Sequence, residues 1–317
     1  MQDPFYSKIE STPRPTLFAA SGFICLAAIG LWVAELILTL LPTSAAGGVM
    51  VVENALYYLP FVVLPLALYM VRRSGLSEAM RLNPLPVLPT LSVALLALLS
   101  VYATSALATV WGLGLDALGL RSPGAAPVPE SRQALALSIF TMAAFPAICE
   151  ELLFRGFALA AWETRGTWFA VGVTSGLFAL LHGNLYGLPV YLLVGAVAGF
   201  VTVALDSVYA GMVYHTVYNA ACLVIPWLMA AQDGADVAMT PSLVLSMVLE
   251  TLTILAMMAM LTASLLLRAR NHGVMPIPRV RRPLEGRDRV MLAAAVAVMA
   301  VTILVVLGIA LRQGGAV

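Results

Sequence analysis

The sequence predicts an all-α integral membrane protein, a polytopic bundle of about nine transmembrane helices. Of its 317 residues, 61% are hydrophobic and only 10% are charged, whereas soluble domains carry about 25% charged residues. So few charges could not cover an aqueous surface of this size. The net charge of +1 provides no field that would favour a nucleic acid as partner. The chain is therefore predicted to lie in the lipid bilayer, as one helical domain.

Apolar stretches long enough to cross a bilayer, about 20 residues each, define the predicted helices. They run over 17–41, 49–71, 87–114, 133–162, 167–183, 187–206, 207–230, 242–267 and 290–311. Only Asp206 and Ser207 separate the sixth stretch from the seventh. One transmembrane domain over 17–311 follows, between an N-terminal tail, 1–16, and a short C-terminal tail, 312–317.

The distribution of arginine and lysine predicts the orientation of these helices, because basic residues concentrate in cytosolic loops. Most of them fall in the N-terminal tail, in alternate loops, or in the basic loop 268–289. We therefore expect a cytosolic N-terminus and a C-terminus outside. The basic loop is best interpreted as a topology determinant; the alternative is a site for anionic lipids.

The fourth stretch contains two adjacent acids, Glu150 and Glu151, followed by Arg155. Charged side chains inside lipid are costly and usually functional. Glu151 and Arg155 are one helical turn apart and can pair, which would leave Glu150 available for chemistry. Pro146 precedes the acids and withholds a backbone hydrogen bond, so it can open the helix beside them.

Two of the three histidines also lie in apolar stretches: His182 ends the fifth, and His215 begins the seventh. His215 and Asn219 share one helical face. Counted from the predicted cytosolic ends, Glu150, His182, His215 and Asn219 lie at similar depths, roughly 12–22 Å. Scattered structural polar residues would have no reason to meet at one level, so a functional site is predicted here.

Other polar or small residues in the apolar stretches have simpler interpretations. Glu35, Glu53 and Glu250 are expected to hydrogen-bond neighbouring helices in their protonated form. The spacings Gly172-x-x-x-Gly176 and Gly195-x-x-x-Gly199 predict close helix packing in the fifth and sixth stretches.

The order of these motifs resembles that of the CAAX-processing and bacteriocin-processing (CPBP, Abi-type) proteases, which include the Ras-converting CAAX endopeptidase. The three motifs are Glu150-Glu151 with Arg155, Phe178 with His182, and His215 with Asn219. The resemblance covers about 133–230, which is then the catalytic core, and it implies an intramembrane endopeptidase open toward the cytosol. By the resemblance, Glu150 and His182 activate a water and His215 and Asn219 stabilise the oxyanion. Glu151, Arg155 and Phe178 support them.

Three alternatives to this metal-free glutamate protease stay open at this point. Glu150, His182 and His215 could be the three ligands of a hydrolytic zinc site, although the compact His-Glu-x-x-His signature is absent. A proton- or cation-coupled transporter could use the same groups, but no inverted repeat is evident. A protease-like scaffold could bind a peptide without cleaving it. We expect no cofactor, a membrane-associated peptide or protein as substrate, and a location in a prokaryotic cytoplasmic membrane.

Overall fold

The computed structural model is helical throughout its described residues, which confirms the all-α prediction for that part of the chain. The described residues are 14–40, 57–67, 70, 78, 80–120, 128–230, 241–274 and 284–314. Three predicted features lie outside the described residues: the tail 1–13, the side chains of Glu35 and Glu53, and the middle of the basic loop, 275–283. The predictions made for these residues are therefore not tested.

The helices follow the predicted apolar stretches closely. They are α1 (Leu17–Leu40), α2 (Tyr57–Ala67), α3 (Val87–Ala117), α4 (Arg132–Arg165), α5 (Thr167–Leu181), α6 (Leu188–Ala204), α7 (Val208–Ala230), α8 (Pro241–Asn271) and α9 (Gly286–Gly314). A turn at Leu205 and Asp206 separates α6 from α7, so these two stretches form separate helices.

Six helices in the described residues are long and apolar enough to cross a membrane, whereas α2, α5 and α6 are shorter. With 15 residues in α5 and 17 in α6, these helices are about 22 and 26 Å long, against a hydrocarbon core of about 30 Å. The count of nine spans and the orientation of the termini therefore stay predictions.

Helix α4 lies at the centre of the bundle, in contact with α1, α5, α6 and α7. It contains two π-helical segments, Ile139–Ala144 and Leu152–Ala158, on either side of the α-helical segment Phe145–Glu151. Pro146 stands in the first turn of that segment, where its missing N–H shifts the hydrogen bonding of the preceding turn. The two acids thus lie at the end of a short α-helical segment between two wider turns.

An ion-pair cluster ties one end of the bundle together. Glu163, at the end of α4, accepts hydrogen bonds from Arg14 at 2.9 Å and from Arg81 at 2.7 Å. Arg81 also donates to Asp206 at 2.9 Å, and Asn83 donates to the Asp206 backbone at 2.7 Å. The cluster joins the segment before α1, the α2–α3 linker, the end of α4 and the α6–α7 turn. It therefore fixes the position of the central helices along their axes relative to one another.

Candidate active site

Glu150 and Glu151 are both buried, with 6% and 0% of their surfaces exposed. Although they are adjacent in α4, they have different neighbours, because successive residues of a helix point to different faces. Tertiary packing therefore separates the two carboxylates into different environments.

Two side chains, Arg155 and His215, contact the same carboxylate oxygen of Glu151. Arg155 Nη1 donates to Glu151 Oε1 at 2.9 Å, as the spacing predicted, and His215 Nδ1 lies 3.0 Å from that oxygen. Arg155 also donates to the Gly195 backbone oxygen at 2.7 Å, and its guanidinium lies 4.7 Å from the Phe178 ring centroid. Glu151 and Arg155 therefore connect α4 to α5, α6 and α7.

Glu150 has a much less constrained carboxylate. Its Oε2 lies 3.9 Å from His215 Nε2, too far for a hydrogen bond, and has no hydrogen-bond partner within the described part of the chain. The Tyr58 side chain of α2 lies near the Glu150 carboxylate. Sequence reasoning missed Tyr58, because an isolated tyrosine in an apolar helix has no spacing that distinguishes it from a packing residue.

His182 stands at the C-terminal end of α5, within a small aromatic cluster. Its Nδ1 lies 2.9 Å from the Phe178 backbone oxygen, so Nδ1 carries a proton and Nε2 is the free nitrogen of the neutral ring. The ring stacks on Tyr191 at 4.0 Å and meets the Phe178 ring at 4.6 Å. Phe178 in turn contacts the His215 ring at 5.6 Å. The two histidines are therefore joined through Phe178.

The structure thus brings Glu150, Glu151, Arg155, Phe178 and His215 into one contiguous cluster, with His182 beside it. Across the described residues, no side-chain hydrogen bond joins His182 to Glu150, and none involves the Asn219 amide group. Asn219 is half-buried and follows His215 by one turn of α7. Glu250, expected to hydrogen-bond another helix, is instead exposed on α8 and has no hydrogen bond to the described helices.

Among the described residues, no group of three or more His, Cys, Asp and Glu side chains is placed to hold a metal ion, and this includes Glu150, His182 and His215, the ligands of the zinc alternative. Glu150 and His215 are neighbours, but the near nitrogen of His215 faces Glu150 at 3.9 Å and its other nitrogen is engaged by Glu151. His182 is connected to this pair through the Phe178 ring, which contacts both histidines.

Of the two glycine pairs, only the one on α6 packs closely. A Cβ on Gly195 would lie 3.1 Å from Arg155 Nη2 and 3.2 Å from the Phe178 ring, and one on Gly199 would lie 3.1 Å from Val171. In contrast, a Cβ on Gly172 or Gly176 of α5 would meet no atom within 4 Å. The predicted close packing of α5 and α6 is therefore present, but only the α6 glycines lie at the contact, and Gly172 and Gly176 face away from it.

Gly211 of α7 is a further close contact that the sequence did not reveal. A Cβ at this position would lie 2.8 Å from Glu151 Oε2 and 2.7 Å from Thr202 Oγ1. Both oxygens are buried and have no hydrogen-bond partner among the described residues. Gly211 therefore allows α7 to approach the carboxylate closely enough for His215 to reach it.

We expect Gly211→Ala to lower the free energy of unfolding by about 1–3 kcal/mol, the usual cost of overpacking. The carboxylate cannot simply move aside, since Arg155 and His215 both hold it. Thermal unfolding in detergent would measure the loss. Gly172→Ala is the matched control: it has space for a methyl group and should be neutral or slightly stabilising. Equal unfolding temperatures for the two variants would contradict the close approach of α7.

Comparison with known proteins agrees with the motif resemblance. Residues 132–221 match a family described as type II CAAX prenyl endopeptidase Rce1-like. The matched region begins with α4 and ends within α7, so it contains all of the clustered residues. No curated protein and no solved structure shows significant similarity to the chain. The central helices α4 to α7 are therefore similar, over residues 132–221, to the Rce1-like family of type II CAAX prenyl endopeptidases.

Proposed function

We propose that the chain is an intramembrane endopeptidase in which Glu150 and His182 activate a water for attack on a peptide bond. The observation that supports this proposal best is the unequal environment of the two adjacent carboxylates. Glu151 is engaged by Arg155 and His215, whereas Glu150 Oε2 has no hydrogen-bond partner among the described side chains. A carboxylate with a free oxygen in an apolar setting is suited to accept a proton from water.

In this mechanism Glu150 takes a proton from the water, and the hydroxide adds to the peptide carbonyl. The same proton then passes to the leaving amine. Tyr58, whose side chain lies near Glu150, helps to orient the carboxylate. The neutral His182 has its Nε2 free to align the water, because Nδ1 is engaged with Phe178.

The oxyanion is assigned to His215 and Asn219. His215 Nε2 lies on the side of Glu150, while Nδ1 is engaged with Glu151, so an N–H at Nε2 would be the donor to the oxyanion. The Asn219 amide, one turn further along α7, supplies a second donor. Fixed donors in a medium of low dielectric stabilise a developing negative charge strongly.

The substrate is proposed to be a membrane-associated peptide or protein, since the active residues lie among apolar helices. The family description names a CAAX prenyl endopeptidase, so a prenylated C-terminal peptide belongs among the candidates, together with a leader-bearing peptide. Zinc stays an experimental alternative for Glu150, His182 and His215. A prokaryotic cytoplasmic membrane stays the proposed location.

Cleavage of fluorogenic peptides by the full-length protein in liposomes would test this function. The peptides would include prenylated and unprenylated forms, with and without a strong chelator. We expect cleavage that the chelator leaves unchanged, and a kcat lowered by roughly 10²-fold or more in His182→Ala. Loss of activity with chelator and recovery with zinc would assign the same residues to a metal. Full activity in His182→Ala would contradict the role of this histidine.

A further inference from the structure

A groove of about 560 Å³ runs along the C-terminal end of α8, outside the active site. Its lining residues, Met260, Ala263, Ser264, Leu267, Arg268, Asn271 and His272, define what we call the α8 groove. The wall is mostly apolar from Met260 to Leu267, with Ser264 as the exception. Beyond Leu267 the lining becomes cationic and polar. The groove is therefore amphipathic along the helix axis.

The polar end of the α8 groove lies at the same end of the bundle as Arg81. Tyr102 of α3 contacts Thr251 of α8, with 3.4 Å between the two hydroxyl oxygens. Thr109, further along α3, lines one cavity with Met247, which precedes Thr251 on α8, so the two helices run antiparallel. From the contact, the start of α3 is therefore about 22 Å away and the end of α8 about 30 Å away in the same direction, by the rise of a helix. Arg268 and His272 are therefore close to the predicted cytosolic surface of the membrane.

Arg268 lacks the carboxylate partners that other arginines at this end possess. Arg14 and Arg81 are paired with Glu163, and Arg287 is paired with Glu285. Among the described residues, Arg268 forms no ion pair. In the sequence, 268–289 contains seven arginines but only two acids. An anion from outside the chain would therefore complement Arg268 and its surroundings.

The length of the apolar part of the α8 groove indicates which class of anion would fit. Arg268 lies eight residues beyond Met260, about 12 Å along the helix, close to half of a hydrocarbon core of about 30 Å. An acyl chain along Met260, Ala263 and Leu267 would thus place its head group at Arg268. Asn271 and His272 add further donors at that level. We propose that the α8 groove binds an anionic phospholipid.

The test measures binding of phosphatidylglycerol to the full-length protein by native mass spectrometry, with phosphatidylcholine as the neutral comparison. Arg268→Gln should lower the affinity for phosphatidylglycerol about fivefold. Arg270→Gln is the matched control, because it removes the same charge from the same helix end but does not line the groove. Its binding should be unchanged. Ala263→Trp, which fills the apolar wall and keeps every charge, should also weaken binding.

Equal losses in Arg268→Gln and Arg270→Gln would overturn the proposal, because they would indicate a diffuse attraction to the basic loop. Equal binding of phosphatidylglycerol and phosphatidylcholine would overturn it as well, and so would wild-type affinity in Ala263→Trp. Lipid binding is read directly, so these outcomes do not depend on whether the protein cleaves a peptide.

Discussion

Glu150→Gln is expected to lower kcat by roughly 10²–10⁴-fold, the contribution of a general base, while the protein stays folded. Glutamine matches the size of glutamate, so it keeps the packing of the buried side chain, including its position beside Tyr58. It cannot take a proton from water. The packing of α4 is therefore retained and only the proposed chemistry is removed. Peptide cleavage in liposomes gives kcat, and thermal unfolding gives the stability.

Two control variants define what this result means. Glu250→Gln also removes a glutamate from a membrane helix, but Glu250 is exposed on α8, so its kcat should equal that of the wild type. Glu151→Gln should lose stability as well as activity, because Arg155 and His215 both depend on that carboxylate. Wild-type kcat in Glu150→Gln would remove Glu150 from the reaction. Parallel losses of activity and stability in Glu150→Gln would make it a structural residue instead.

The helices could be predicted from the sequence because hydropathy alone defines them. The predicted stretch 167–183 corresponds to Thr167–Leu181, and 207–230 to Val208–Ala230. The pairing of Glu151 with Arg155 could also be predicted from the sequence, since residues four apart lie next to each other on one side of a helix. Both inferences depend only on the geometry of a single helix.

Contacts between helices could not be predicted in this way, because they depend on how each helix is rotated against its neighbours. Gly172 and Gly195 belong to identical spacings, yet only Gly195 meets another helix closely. Tyr58, Thr202 and Gly211 approach the acids without any sequence motif. Membrane-spanning length is also only partly readable, because α5 and α6 are apolar but, at 15 and 17 residues, shorter than a typical span.

Arg155→Met is expected to be the most destabilising single substitution in the site. Arg155 and Glu151 are both fully buried, so removal of the guanidinium leaves His215 as the one remaining partner of the Glu151 carboxylate among the described side chains. Breaking a buried pair in this way costs about 3–5 kcal/mol. The lost hydrogen bond to the Gly195 backbone adds to the effect. Unfolding in a denaturing detergent titration would measure the change in free energy.

The double variant Glu151→Gln/Arg155→Met separates the cost of an unbalanced charge from the cost of lost packing. Removing both charges together should restore most of the stability, since neutral replacements of buried ion pairs are often tolerated. Arg287→Gln is the control for the loss of an ion pair as such. Its pair with Glu285 is 67% and 66% exposed, and exposed pairs contribute little. If the double variant were as unstable as the sum of its two single variants, Glu151 and Arg155 would act independently. That result would contradict the stabilising pair inferred from their hydrogen bond.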